Sequence, residues 1–144
     1  MAVDVLTTID IAAPPEVVAR FAAEPDNAPR WYVNIRSVEW ETPRPLAVGS
    51  RIAFVATFLG RRLAYTYEVV EHQPDRRLVM RTASGPFPME TTYTWTPHPT
   101  GTTMTLRNRG EPTGFAALTA RLMAAAMRRA NEADLRKLKA TLEA

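Results

Sequence analysis

The sequence predicts an α+β fold in which a seven-stranded antiparallel sheet curls around a long C-terminal helix, with one or two short helices after the first strand. One observation is that residues 113–144 contain no proline or glycine from Phe115 onward, which is typical of a single helix. A second is that most of the preceding chain alternates apolar and polar residues with a period of two, the spacing of strands with one buried face. A third is that segments rich in proline and glycine separate these alternating stretches, as expected for antiparallel strands joined by turns.

The first element is a strand with one buried face, and a helix follows it. Val3–Ile11 carries valine and isoleucine at alternate positions. Pro14 and Pro15 then stand where the first turn of a helix has no backbone donor to lose. Pro25 ends this helix, and residues 26–30 are long enough only for a turn or a second short helix.

Six further strands follow, and short turns join most of them. The clearest hairpin turn is residues 59–62, where Gly60 follows a strand of alternating residues. Residues 42–49 contain prolines and a terminal glycine, so they predict a longer loop between the second and third strands. The predicted strands cover residues 35–41, 50–58, 63–71, 77–83, 89–96 and 102–109.

The long helix is amphipathic and has a narrow middle. Thr113 is its predicted N-cap residue, and charged residues such as Arg128 and Arg136 occupy one side. On the other side, residues 123–127 have only short or flexible side chains. The full apolar arc consists of Phe115, Leu122, Met123, Ala126, Met127, Ala130, Ala133, Leu138 and Leu142.

A seven-stranded sheet is much wider than one helix. Strands about 4.8 Å apart give a sheet roughly 30 Å wide, whereas a helix is about 10–12 Å across. The sheet must therefore curl to cover the helix, and its inner surface still exceeds what a narrow helix can fill. Two alternatives stay open at this point: aromatic side chains fill the space, or it remains a pocket.

Successive residues of a strand point to opposite faces of the sheet, and this parity identifies the residues that would line such a pocket. Tyrosine and tryptophan side chains combine flat apolar faces with hydroxyl or N–H groups, which suits an aromatic or polycyclic ligand. Asn131 and Asp134 lie towards the apolar arc of the helix and are further candidates for polar groups of the pocket. The predicted ligand-binding residues are Trp31, Phe54, Phe58, Tyr65, Tyr67, Met80, Met89, Tyr93, Trp95, Leu106, Met123, Ala126 and Met127.

Catalytic residues cannot be assigned from the sequence. His72 and His98 lie near prolines in predicted turns, which indicates surface positions rather than a base or a metal ligand. Glu68 and Glu71 are predicted on opposite faces of one strand, which argues against a pair of carboxylates. The absence of cysteine excludes disulfides, thiolate metal sites and a cysteine nucleophile. We therefore predict neither a metal ion nor a cofactor.

Charge and length narrow the remaining possibilities. The net charge is +3, but the arginines are scattered rather than gathered on one face with aromatics between them, so we predict no nucleic-acid binding. The N-terminus lacks the basic and unbroken apolar regions of a signal peptide, and no apolar run is long enough to span a membrane. We expect a single domain over residues 1–144 that is located in the cytoplasm as a monomer or a homodimer.

Short motifs along the whole chain carry a family resemblance. They begin at the first strand-to-helix corner, residues 9–18, and end at residues 138–143. The motifs between these two are Trp31, residues 48–49, residues 68–71, Pro74, residues 77–78 and residues 101–102. Together they resemble the START-like (SRPBCC) superfamily with its helix-grip fold, and within it the polyketide cyclase/dehydrase-like branch. Because these positions build the fold, the resemblance implies the architecture but no individual active-site residue.

Proteins of this superfamily typically hold an apolar or aromatic ligand between sheet and helix. The resemblance therefore implies binding of a small hydrophobic molecule that is polyketide-, lipid- or isoprenoid-like, and it leaves open whether cyclase or dehydrase chemistry follows. In that case the hydroxyls of Tyr65, Tyr67 and Tyr93 would hydrogen-bond a developing enolate or alkoxide. The alternative is a non-catalytic protein-interaction or chaperone-assisting domain with a vestigial cavity. An apolar patch that exposes Trp40 or Phe87 would favour this alternative.

Overall fold

The chain folds into one antiparallel sheet with a long C-terminal helix. The computed structural model describes residues 3–85, 87–111 and 117–144, with the side chains of all of these except residues 117–119. Its elements are β1 (Val3–Ile11), α1 (Pro15–Ala23), a 3₁₀ helix (Pro25–Asn27), α2 (Ala28–Trp31), β2 (Ile35–Trp40), β3 (Arg51–Phe58), β4 (Arg61–Gln73), β5 (Arg77–Ser84), β6 (Met89–His98), β7 (Gly101–Gly110) and α3 (Ala117–Glu143). The seven strands lie in the order β1-β7-β6-β5-β4-β3-β2, and the predicted α+β class is confirmed.

The inner face of the curled sheet mixes apolar and polar side chains. Residues that stand directly opposite each other share a face, so one row of neighbours runs across five strands of the inner face. This row consists of Val69, Met80, Thr91, Asn108 and Val5. A buried threonine and a buried asparagine near the middle of an apolar surface need hydrogen-bond partners, and they supply polar groups to whatever lies above the sheet.

The outer face carries alternating charges. One row across six strands consists of Arg51, Glu68, Arg81, Glu90, Arg109 and Asp4. The predicted opposite placement of Glu68 and Glu71 is wrong, because a β-bulge between Val69 and Glu71 shifts the alternation by one residue. The two carboxylates pair with arginines, Glu68 with Arg51 at 2.9 Å and Glu71 with Arg77 at 3.2 Å. The sheet therefore presents a charged outer surface.

The first described turns of α3 lie against the edge strand β1. Met123 packs with Val3 and Val5 in a small cluster that is separate from the main core. Leu122 was predicted on the apolar arc, but 63% of it is exposed, so this part of the prediction is wrong. The predicted N-cap Thr113 and the predicted arc residue Phe115 lie outside the described residues.

The corner between β1 and α1 is tightly packed against the start of β7. Gly101 has φ +149°, and a Cβ atom there would lie 2.3 Å from the carbonyl oxygen of Ile11 and 2.7 Å from the backbone nitrogen of Ala13. The hydroxyl of Thr102 donates to the carbonyl oxygen of Ala13 at 2.6 Å. No side chain fits at position 101 without movement of the backbone.

Replacing Gly101 with alanine is therefore expected to lower the free energy of unfolding by about 2 kcal/mol, since the overpacked atom meets backbone. Urea denaturation of the variant measures this loss. Gly60 provides a matched control because it also has a positive φ, +76°, but a Cβ atom there meets nothing within 4 Å. Equal losses for Gly101→Ala and Gly60→Ala would contradict the steric argument and leave only backbone strain.

Candidate functional site

A cavity of about 150 Å³ lies between the inner face of the sheet and α3. Strands β3 to β7 form its floor, α3 forms one wall, and the segment from α2 to β2 forms another. The apolar residues around it include Ala28, Ile35, Phe54, Ala56, Phe58, Leu63, Met80, Phe87, Met89, Met127 and Ala130. Of the two alternatives left open by the sequence, the structure has the pocket.

The cavity brings together most of the ligand-binding residues that were predicted from parity. Their inward positions on β3, β4, β5 and β6 place aromatic rings and thioethers side by side, and Met127 faces them from the helix. The ring centroids of Phe54 and Tyr65 are 5.6 Å apart, and those of Tyr65 and Tyr67 are 5.2 Å apart. The predicted residues that line the cavity are Phe54, Phe58, Tyr65, Tyr67, Met80, Met89, Tyr93 and Met127.

The remaining predicted residues lie elsewhere. Trp95 and Leu106 also face inward, but they lie in the main core with residues of α1, which packs against β6 and β7. Trp31 is fully buried behind the Tyr32 and Tyr93 rings, at centroid distances of 4.1 Å and 5.7 Å.

On the helix, Met123 packs against β1, and Ala126 does not line the cavity. The helix wall begins at Met127 and continues through Ala130, Asn131 and Asp134. The part of α3 that lines the cavity therefore lies closer to the C-terminus than the alanine segment at which the pocket was predicted.

A chain of hydrogen bonds crosses the floor of the cavity. The Thr91 hydroxyl donates to Oδ1 of Asn108 at 2.7 Å, and the Tyr67 hydroxyl lies 2.7 Å from Thr91 Oγ1. Because Thr91 has only one hydroxyl hydrogen, Tyr67 must be the donor in its bond with Thr91. Burial raises the pKa of Tyr67 to about 12, while the bond to Thr91 acts in the lowering direction. The oxygen of Tyr67 keeps its capacity to accept a hydrogen bond.

Two further tyrosines meet at the α2 side of the cavity. The hydroxyl oxygens of Tyr32 and Tyr93 are 2.5 Å apart, and burial raises the pKa of both groups well above the ordinary value of 10.0. One hydroxyl donates to the other, so the hydrogen of the accepting tyrosine remains available. Tyr65 also lines the cavity, and its hydroxyl has no hydrogen-bond partner within residues 3–85, 87–111 and 117–144. The hydroxyl of Tyr65 therefore keeps its capacity to donate and to accept a hydrogen bond.

The helix wall contributes a carboxyl group and a carboxamide. Asp134 is 3% exposed, and its Oδ1 accepts a hydrogen bond of 2.9 Å from the backbone N–H of Val33. Burial raises the pKa of the Asp134 carboxyl from 3.8 to about 6, against the opposing effects of the Val33 bond and of Lys137. Asn131 is 4% exposed, and its Nδ2 atom has no hydrogen-bond partner in the described part of the chain.

Sequence parity offered a signal for some polar residues that were not among the predicted ligand-binding set. Thr91 and Asn108 occupy inward positions next to apolar inward residues, Met89 and Tyr93 on β6 and Leu106 on β7, and a polar residue at such a position indicates a polar group inside the fold. Tyr32 had no comparable signal, because it lies just after a four-residue helix whose orientation the sequence does not reveal. Asn131 and Asp134 were recognised as candidates, and both line the cavity.

Trp40 and Phe87, the two aromatic residues of the alternative hypothesis, are half-buried. His72 lies within β4 rather than in a turn, and His98 lies at the end of β6, with its Nε2 3.6 Å from Asp10. Trp40 is half-buried and its Nε1 donates to Asp26 at 3.0 Å, whereas Phe87 lines the cavity. The described ranges contain no cluster of three or more histidine and acidic residues arranged to hold a metal ion.

The sequence model of the family described as polyketide cyclase / dehydrase and lipid transport matches residues 2–143. The chain belongs to this family. Its fold is that of the START-like superfamily, in the polyketide cyclase/dehydrase branch. Curated proteins yield no match to the chain. Among its described residues, this family member has no helix that is both long and apolar enough to cross a membrane.

Solved structures with the same fold come from several bacteria. The protein TTHA0849 from Thermus thermophilus is 24% identical to this chain over 96% of the length of each chain, with a TM-score of 0.84. Zhui aromatase/cyclase from a Streptomyces species is 18% identical over 99% of this chain and 94% of that one, with a TM-score of 0.83. A START superfamily protein from Mycobacterium smegmatis is 15% identical over 97% of each chain, with a TM-score of 0.82. At these identities the likeness shows the architecture.

Proposed function

We propose that this member of the family binds a small hydrophobic or aromatic molecule in the cavity between the sheet and α3. The observation that carries the proposal is the cavity itself, whose apolar walls enclose about 150 Å³ and bear a few polar groups. Ligand sites of this kind use apolar walls for affinity and a few polar groups for orientation. In another protein, an engineered apolar cavity of about 150 Å³ holds benzene, so one aromatic ring with short substituents is a suitable ligand.

The same cavity has groups that suit acid–base chemistry on a carbonyl compound. The pKa of the Asp134 carboxyl, about 6, is close enough to neutral pH for this group to accept and return a proton. The free hydroxyl of Tyr65 suits a hydrogen bond to a developing oxyanion. The family description and the aromatase/cyclase named among the similar structures support this class of reaction.

In the proposed reaction, the Asp134 carboxylate removes a proton from the carbon next to a carbonyl group of the bound molecule. The electron pair of that C–H bond moves towards the carbonyl oxygen, and the hydroxyl of Tyr65 hydrogen-bonds the resulting enolate. The enolate carbon then attacks a second carbonyl carbon of the same molecule, which forms a C–C bond and an alkoxide. The protonated Asp134 returns its proton to the alkoxide, so the protein is unchanged at the end. Confinement brings the two reacting carbons together.

Filling the cavity tests the binding proposal. Ala130 lines the cavity, so we expect Ala130→Trp to occupy it and to abolish the binding of toluene measured by calorimetry. Ala126→Trp is the matched control, because it makes the same change one helical turn earlier at a residue that does not line the cavity. We expect the control to retain the toluene affinity of the unaltered protein. Failure of the unaltered protein to bind toluene, or equal affinities in both variants, would contradict the proposal.

A further inference from the structure

Asn131 and Asp134 form an unusual polar pair on the wall of the cavity. They are three residues apart on α3, so their side chains are neighbours on one face of the helix. Both are more than nine-tenths buried, and both line the cavity. Nδ2 of Asn131 has no partner in the described part of the chain, and a buried polar group without a partner costs about 1–3 kcal/mol, so a ligand explains this group better than stability does.

The hydrogen-bonding capacity of the pair is specific. Nδ2 of Asn131 is a donor without a partner in the described part of the chain. Oδ1 of Asp134 is occupied by the N–H of Val33, which leaves Oδ2 to accept a hydrogen bond from a ligand. The two groups together match a ligand atom that has a lone pair and also carries a hydrogen. A hydroxyl group meets this description, whereas an ether oxygen or a ketone lacks the hydrogen and an ammonium group lacks the lone pair.

The charge of the cavity also restricts the ligand. Among the described residues that line it, none is lysine, arginine or histidine. A carboxylate ligand would therefore lose its hydration without gaining a counter-charge, and it would lie near the Asp134 carboxyl. The cavity thus favours an uncharged molecule.

We infer that Asn131 and Asp134 together bind the hydroxyl group of an uncharged phenol, enol or alcohol whose ring lies among the aromatic side chains of the sheet. The hydroxyl oxygen accepts from Asn131 Nδ2, and the hydroxyl hydrogen is donated to Asp134 Oδ2. This inference rests on the proposed function, because it requires a ring in the same cavity. It adds the chemical class of the ligand and the two residues that select it.

The test compares phenol, toluene and benzoate as probes, with affinities measured by calorimetry at pH 8. For each protein, the ratio of the toluene dissociation constant to the phenol dissociation constant reports the contribution of the hydroxyl. Asn131→Leu is expected to lower this ratio ~10-fold, the size of one or two buried hydrogen bonds. Asp134→Asn keeps the Oδ1 acceptor for Val33 but removes the charge, so we expect a ratio ~3-fold lower and tighter binding of benzoate.

The controls separate failure of the inference from failure of the proposed function. Glu132→Gln changes an exposed carboxyl on the same helix that does not line the cavity, and it should leave the ratio unchanged. Toluene binding with a ratio that neither Asn131→Leu nor Asp134→Asn alters would overturn the inference while the proposed function stands. Absence of toluene binding to the unaltered protein would overturn both. Circular dichroism establishes that each variant is folded before its affinities are compared.

Discussion

Replacing Asp134 with asparagine is expected to raise the free energy of unfolding by about 3 kcal/mol at pH 8 and to change it little at pH 4. The carboxyl has a pKa of about 6 in the folded protein, against an ordinary value of 3.8. Between these values the folded state binds more protons than the unfolded state, so the stability contributed by this group falls as the pH rises from about 4 to 6. The loss is essentially complete by about pH 7. Asparagine cannot ionise and therefore escapes it, while its side-chain oxygen keeps the hydrogen bond from Val33.

Urea denaturation of the two proteins across pH 4–8 measures this difference. The titratable groups that influence the carboxyl are Tyr32, Tyr65, Tyr93 and Lys137, and the tyrosines stay protonated throughout this range because burial raises their pKa. Other carboxyl groups are common to both proteins and cancel in the difference. If the variant is less stable than the unaltered protein at pH 8, the carboxylate stabilises the fold. That result would contradict our account, in which the buried charge of Asp134 destabilises the fold and serves function.

Replacing Trp31 with alanine is expected to lower the free energy of unfolding by about 4 kcal/mol, the cost of removing a large aromatic side chain from a packed core. Trp31 is fully buried and supports the rings of both Tyr32 and Tyr93. Trp31→Phe should cost less, about 1–2 kcal/mol, because it keeps a ring and removes an indole N–H that has no partner in the described chain. Urea denaturation measures both losses.

The same variants decide between two roles for Trp31, which the sequence predicted as a ligand-binding residue. A core role predicts a large loss of stability in Trp31→Ala and nearly unchanged toluene affinity in Trp31→Phe. The opposite pattern, a loss below about 1 kcal/mol together with weak toluene binding in both variants, would place the indole ring at the ligand and contradict its position in the structure.

Much of the fold could be predicted because its signals are local. Alternation together with the prolines and glycines of the turns indicated all seven strands, and the uninterrupted C-terminal run indicated the helix. The width of the sheet relative to the helix predicted the curl and the space beneath it. Parity was also sufficient to place Tyr65, Tyr67 and Tyr93 together on the inner face, because a strand side chain has only two directions available.

The remaining features depend on how the elements lie on one another, which parity does not specify. Trp95 and Tyr93 share a face, yet α1 covers the sheet near Trp95 and leaves Tyr93 at the cavity. Likewise Ala126 and Ala130 lie on the same face of a helical wheel, about 40° apart, but Ala130 lines the cavity and Ala126 does not. The bulge next to Val69 adds one residue without any glycine or proline to indicate it.

The most direct test of ligand binding uses the methionine methyl groups as reporters inside the protein. Met80, Met89 and Met127 line the cavity, whereas Met104 and Met123 are buried elsewhere. In a titration of protein labelled with carbon-13 at the methionine methyls, ring currents from bound toluene should shift the three cavity signals strongly and the other two only slightly. Signals that do not respond to toluene, or that respond mainly at Met104 and Met123, would contradict a ligand site between the sheet and α3.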